Sequence, residues 1–179
     1  MRRLLVLRHA DAESGAGKPD HERRLTPEGE ASAHAIGEAL ARIGDVPAIA
    51  YCSVADRARA TLEIAAEAGA WRTEMVFEDA LYVTSVAGTL DVVAHTPDVE
   101  RVMIVGHNPT WAELVADLTG EAMGLRPATV VAIDLDVGTW ADVPSARGDI
   151  AYVLRPDDTP GAADAAGAAD AADAGGTAS

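Results

Sequence analysis

An unbroken apolar run, Leu4-Leu5-Val6-Leu7, predicts a strand buried on both faces. The pattern returns at Arg101-Val102-Met103-Ile104-Val105, and Pro47-Ala48-Ile49-Ala50-Tyr51-Cys52 predicts a further strand. Between these runs the apolar positions recur at helical spacing. Thr26-Pro27-Glu28 is a helix start, with a hydroxyl to cap the free amides and a proline at the first helical position. That helix runs through Ala31, Ala35, Leu40 and Ile43 to Gly44. A second helix over residues 56–68 aligns Ala58, Leu62 and Ala65 on one face, a third covers residues 85–95, and a fourth covers about 110–118. Residues 129–136 and 149–154 predict two late strands at sheet edges, with Asp134-Leu135-Asp136 on an outer face. Strand and helix alternate, and several strands are apolar throughout. The expectation is an α/β fold, a three-layer α/β/α sandwich around a mainly parallel central sheet.

Composition divides the chain in two. Residues 1–155 form one domain with enough length for a core. Residues 156–179 hold ten Ala, four Gly and five Asp with no large apolar side chain, which predicts a disordered acidic tail. Setting that tail aside lowers the formal charge only from −15 to −10, so the domain is acidic in its own right. Nucleic acid and anionic membrane are therefore not expected partners, since phosphate backbones are bound by excess Lys and Arg. A lone cysteine, Cys52, allows no disulfide framework and suits a reducing cytoplasm. The opening apolar run stops at Arg8-His9, too short for an export signal, and no stretch approaches the about 20 apolar residues of a membrane span.

Three predicted strands end in reactive or cationic residues. The first ends in Arg8-His9, the second in Cys52-Ser53 with Arg57 one turn into the next helix, and the third in Gly106-His107-Asn108-Pro109. In a parallel sheet these ends share one edge, where ligands of such folds bind. Two imidazoles, two guanidiniums and the positive ends of helices there make an anion site suited to a tetrahedral dianion. Phosphoryl transfer needs charge neutralised on three oxygens and an in-line nucleophile. Arginine supplies the first and a neutral imidazole nitrogen the second, and the scheme needs neither metal nor cofactor. Singly, each residue also has a structural reading: a histidine after a strand, a solvated helix arginine, a turn leading into a helix. The spacings of His21, His34 and His95 do not suit metal ligation, and surface positions are expected.

Leu5-Val6-Leu7-Arg8-His9-Ala10 resembles the Arg-His-Gly signature of the histidine phosphatase superfamily. Ser53-Val54-Ala55-Asp56-Arg57-Ala58 with Thr61 resembles its second block, and Val105-Gly106-His107-Asn108-Pro109 its third. The segment from Asp20 to Gly29 resembles the element before the first helix in the small SixA-like phosphohistidine phosphatase branch. The resemblance implies a phosphoglycerate mutase-like fold, with His9 as the phosphorylated nucleophile, Arg8 and Arg57 as the phosphoryl clamp and His107 as a donor to it. It implies that Arg23 reaches the phosphate from its loop, with Arg24 as the near competitor. The general acid is open among Glu78, Asp79 and Asp11. Two departures stand out: Ala10 replaces the family glycine, and Val54 stands where proline is common.

Residues 70–100 hold little more than one helix where larger relatives carry a substrate lid. An open site favours phosphohistidine on a protein, and a P–N bond leans less on an enzymic acid than an ester does. Small phosphomonoesters, such as a sugar phosphate or nucleotide, are the alternative substrates. A non-catalytic phosphoprotein-binding module on the same fold is the alternative of another class. A cysteine phosphatase needs arginine six residues after its cysteine, and here Ala58 stands there. No Gly-rich loop ending in Gly-Lys-Ser/Thr is present.

Overall fold

The computed structural model describes residues 1–158. Six strands form one sheet: β1 (Arg2–Arg8), β2 (Ile49–Ser53), β3 (Glu74–Glu78), β4 (Arg101–Gly106), β5 (Val130–Leu135) and β6 (Gly148–Leu154). Their order is β3-β2-β4-β1-β5-β6. The β2–β3, β2–β4 and β1–β4 pairs are parallel, while β5 runs antiparallel to both β1 and β6. The sheet is thus mixed and mostly parallel. Four helices cover it: α1 (Pro27–Ile43), α2 (Asp56–Ala68), α3 (Val86–Ala94) and α4 (Thr110–Thr119).

The side-chain period of two along each strand sorts the core into two halves. Leu5, Leu7, Met103 and Val105 pack with Ile36 of α1 and Leu62 of α2 on one face. Leu4, Val6, Val102 and Ile104 pack with Val93 of α3 and Leu114 of α4 on the other. Leu4 to Leu7 are fully buried, which explains the unbroken apolar run in β1. Helix α1 starts as its sequence predicts. Thr26 Oγ1 accepts from Gly29 N at 3.0 Å, and the helix stops at Gly44 in the left-handed region, φ 74°. Its buried face carries Ala33, Ile36 and Leu40, while Ile43 is exposed. Gly37 lets α1 and α2 touch: a Cβ there would lie 2.0 Å from the Ala65 carbonyl oxygen.

Two expectations are corrected. Strand β3 was not anticipated; at the sheet's edge its residues are only half-buried, and three apolar residues between two glutamates carry little periodic signal. Strand β5 is interior, between β1 and β6, so of the two late strands β6 alone lies at an edge. Asp134 accordingly does not face solvent from an outer edge. It takes a bidentate pair from Arg3, at 2.7 Å to Nε and 2.8 Å to Nη2. Past β6 the described chain ends in a 3-10 turn, Pro156–Asp158, the first residues of the expected acidic tail, in which Asp157 meets Arg126 at 2.7 Å. The rest of that predicted tail, 159–179, lies outside the described residues. Among the described residues no helix is long and apolar enough to cross a membrane.

Candidate active site

β1, β4 and β2 are neighbours and run parallel, so their carboxyl ends deliver Arg8-His9, Gly106-His107 and Ser53 to one edge. Backbone bonds fix the levels: His9 N donates to Gly106 O at 3.0 Å, and Arg8 N to Thr129 O at 3.1 Å. Gly106 is required for space. A Cβ there would lie 2.6 Å from the Trp111 ring, which anchors α4 under the β4 end. Thr61 ties β1 to α2. Its Oγ1 accepts from Ala10 N at 2.9 Å and donates to Arg57 O at 2.6 Å. Ala10 itself is fully buried in the α1/α2 core, so its methyl group is accommodated there and does not crowd the site.

Arg8, His9, Arg57 and His107 line one open hollow of about 410 Å³, together with Arg23. The His9 and His107 ring centres are 5.1 Å apart. His9 Nδ1 lies 2.7 Å from Ala10 O and must donate to that carbonyl. Nε2 is then the unprotonated nitrogen, and it accepts from Arg57 Nε at 3.4 Å. Burial pushes the His9 pKa down to about 4, the Ala10 contact opposes this, and the Arg57, Arg8 and Arg23 charges add to the depression. His107 falls to about 3, first through burial and then through His9 and Arg57. Both rings are neutral near pH 7. Ser53 Oγ accepts from Ala55 N at 3.4 Å and meets His107 Nε2 at 2.8 Å. A serine hydroxyl has two acceptor lone pairs, so the direction of this bond follows the His107 tautomer, and the ring's other nitrogen is Nδ1. That Nδ1, Arg8 Nε and Asn108 Oδ1 are buried without a hydrogen-bond partner among the described residues. Arg8 is anchored by Nη1 to Leu125 O at 2.6 Å, and burial lowers its pKa from the usual value.

Arg23 reaches the hollow and Arg24 does not; Arg24 is exposed and lines a second depression with Asp56 and Arg59. None of Glu78, Asp79 and Asp11 lines the hollow. Asp11 instead accepts from the Thr26 hydroxyl at 2.9 Å. The carboxylate that does line it is Asp20, and Tyr82 stands beside it. Asp20 Oδ2 accepts from Tyr82 OH at 2.8 Å and from Arg57 Nη2 at 2.9 Å, and Oδ1 accepts from Arg23 Nη1 at 3.1 Å. The Tyr82 hydroxyl first, and with it Arg23 and Arg57, hold this carboxyl well below the ordinary carboxylate range against the opposing effect of burial. Reading the sequence missed Asp20, Tyr82 and the Ser53–His107 contact. Asp20 lies three residues before Arg23 in the very segment that carried the resemblance, and that proximity was the available signal. His21, His34 and His95 are exposed. Cys52 is buried with its thiol pKa pushed up by burial, so it is no nucleophile. Among the described residues no three His, Cys, Asp or Glu side chains converge as a metal centre would require.

The family model described as histidine phosphatase superfamily, branch 1, matches residues 4–82. An uncharacterised protein of Mycobacterium tuberculosis is 31% identical over 149 residues, spanning 76% of this chain and 91% of that one. Among solved structures, a SixA protein of Nakamurella multipartitia described as a candidate phosphohistidine phosphatase is 31% identical. It covers 87% of this chain and 96% of its own, with a TM-score of 0.76. A protein of Agrobacterium tumefaciens with the same description is 27% identical, covers 87% of this chain and 98% of its own, and also has a TM-score of 0.76.

Proposed function

Because the chain belongs to the histidine phosphatase superfamily, we propose that it is a phosphatase that works through a phosphorylated His9 and releases phosphate from phosphohistidine in proteins. The observation that carries the reading is the tautomer of His9: Nδ1–H is held by the Ala10 carbonyl at 2.7 Å, and Nε2 presents its lone pair beside Arg57. Nε2 attacks phosphorus, a new P–N bond forms, and the bond to the substrate's own nitrogen breaks. Arg8, Arg23 and Arg57 bind the phosphoryl oxygens as charge shifts toward the departing imidazole, and His107 donates to one of them. The departing imidazole takes a proton from solvent through the open mouth. Water then attacks the phosphorylated His9, its proton is lost to solvent, and orthophosphate leaves with His9 restored. No step calls on a metal.

The choice of substrate rests on the acid that the site lacks. The Asp20 carboxyl, the acidic group of the hollow, is held ionised and is a poor proton donor. An imidazole leaving group needs protonation far less than an alkoxide does. The segment between α2 and β4 holds only β3, a 3-10 turn and the nine-residue α3, so the mouth is open to a bulky partner. The test is a panel of phosphohistidine proteins and small phosphate esters, assayed with the wild type and His9→Ala. The expected result is turnover of phosphohistidine orders of magnitude faster than of esters, abolished in His9→Ala. A preference for esters by a similar margin would overturn the substrate, and activity surviving in His9→Ala would overturn the mechanism.

A further inference from the structure

Arg57 has no free guanidinium nitrogen. Nε goes to His9, Nη1 donates to the Asp20 carbonyl at 2.6 Å, and Nη2 donates to the Asp20 carboxylate at 2.9 Å. Arg23 and Tyr82 donate to the same carboxylate. One carboxylate thus bridges two guanidiniums and a phenol that face His9, and those guanidiniums are the donors a phosphoryl group on Nε2 needs. The two sides of the contact differ in freedom. The Arg57 side chain is 6% exposed and pinned within α2, whereas the Asp20 side chain is 52% exposed on a three-residue 3-10 turn. The carboxylate is the partner that can leave.

We propose that Asp20 is a specificity-determining residue: a resident anion that an incoming phosphoryl group must displace from Arg57 and Arg23, which selects phosphate carried on a large partner over small free phosphates. This rests on the phosphatase reading above and deepens it. While Asp20 is in place, two cations of the hollow, Arg57 and Arg23, are partly neutralised, so a free oxyanion gains less on entry. A macromolecular substrate has further contacts from which to offset the exchange, since binding energy from remote parts can be used at the reacting centre. Val83, apolar and 85% exposed in the wall of the hollow beside Tyr82, offers such a contact. Orthophosphate, the product, has none, so Asp20 also limits product inhibition.

The test is calorimetric titration of the full chain with inorganic phosphate and with tungstate. Asp20→Asn keeps the shape and removes the charge, and Glu22→Gln removes the same charge from the same turn, away from the clamp. The expected result is a Kd about tenfold lower for both anions in Asp20→Asn, corresponding to about 1.4 kcal/mol, and no change in Glu22→Gln. Tyr82→Phe, which removes one donor to the carboxylate, should tighten binding in the same direction by less. It also carries the test if Asp20→Asn fails to fold. In turnover, Asp20→Asn should raise kcat/KM for small phosphate esters relative to phosphohistidine proteins. Unchanged or weaker anion binding in Asp20→Asn, or equal tightening in Glu22→Gln, would overturn the inference and leave the phosphatase reading standing. Failure of the wild type and every variant to bind either anion would overturn both.

Discussion

Thr61 has no contact with substrate in this account, yet it holds the two halves of the clamp together. Its hydroxyl accepts from Ala10 N on the chain leaving β1 and donates to Arg57 O in the first turn of α2. Thr61→Val replaces the hydroxyl with a methyl of similar size, so no cavity opens, but the amide of the fully buried Ala10 loses its acceptor. An orphaned buried donor costs about 1–3 kcal/mol. For a chain of this size each of those kcal/mol lowers the melting temperature by about 2–4 °C. The loss should appear in urea as a lower midpoint with unchanged slope. His9 is the residue before Ala10, so relaxation of that amide moves the nucleophile relative to Arg57. A displacement near 1 Å can cost about 100-fold in rate, and the fall should be in kcat more than KM. Thr61→Ser keeps the hydroxyl and should retain most of both properties. A Thr61→Val protein within about 0.5 kcal/mol of wild type and fully active would refute the proposed tie.

Three further outcomes follow from the geometry. His9 and His107 are held neutral in the folded state with pKa values of about 4 and about 3 against an ordinary 6.5, so below pH 6.5 the unfolded chain binds protons that the native chain does not. Stability should therefore fall as pH drops from 6.5 toward 4, by on the order of a few kcal/mol for the pair, and urea titrations of His9→Asn should show a shallower fall. Ser53→Ala removes the hydroxyl that orients the His107 ring through Nε2 and should reduce kcat by about tenfold or more while the circular dichroism spectrum stays native. Gly106→Ala drives a methyl to 2.6 Å from the Trp111 ring and should destabilise the fold by about 1–3 kcal/mol, read by thermal melting.

What could be read in advance from the chain follows a physical division. β1, β2 and β4 are buried on both faces, so their apolar runs are unambiguous, and a parallel sheet then compels Arg8-His9, Arg57 and His107 to meet. Helix α1 announces both ends, through Thr26-Pro27 and Gly44. β3 was silent because a half-buried edge strand has little period to detect, and β5 was misplaced because strand order does not follow from hydrophobicity. Asp20 and Tyr82 come to the hollow from loops, where no periodicity dictates the path; only long-range contacts with Arg57 bring them in. The same reason misled the search for an acid. Asp11, Glu78 and Asp79 are close to functional segments in sequence, but none of them lines the hollow.

Trapping the phosphorylated protein tests the central claim most directly. Wild-type enzyme mixed with phosphohistidine substrate, quenched in alkali within milliseconds and mapped by mass spectrometry and phosphorus NMR, should carry one base-stable, acid-labile phosphoryl group on Nε2 of His9. Phosphate found on His107, on Nδ1 of His9 or on an oxygen or sulfur atom would contradict it.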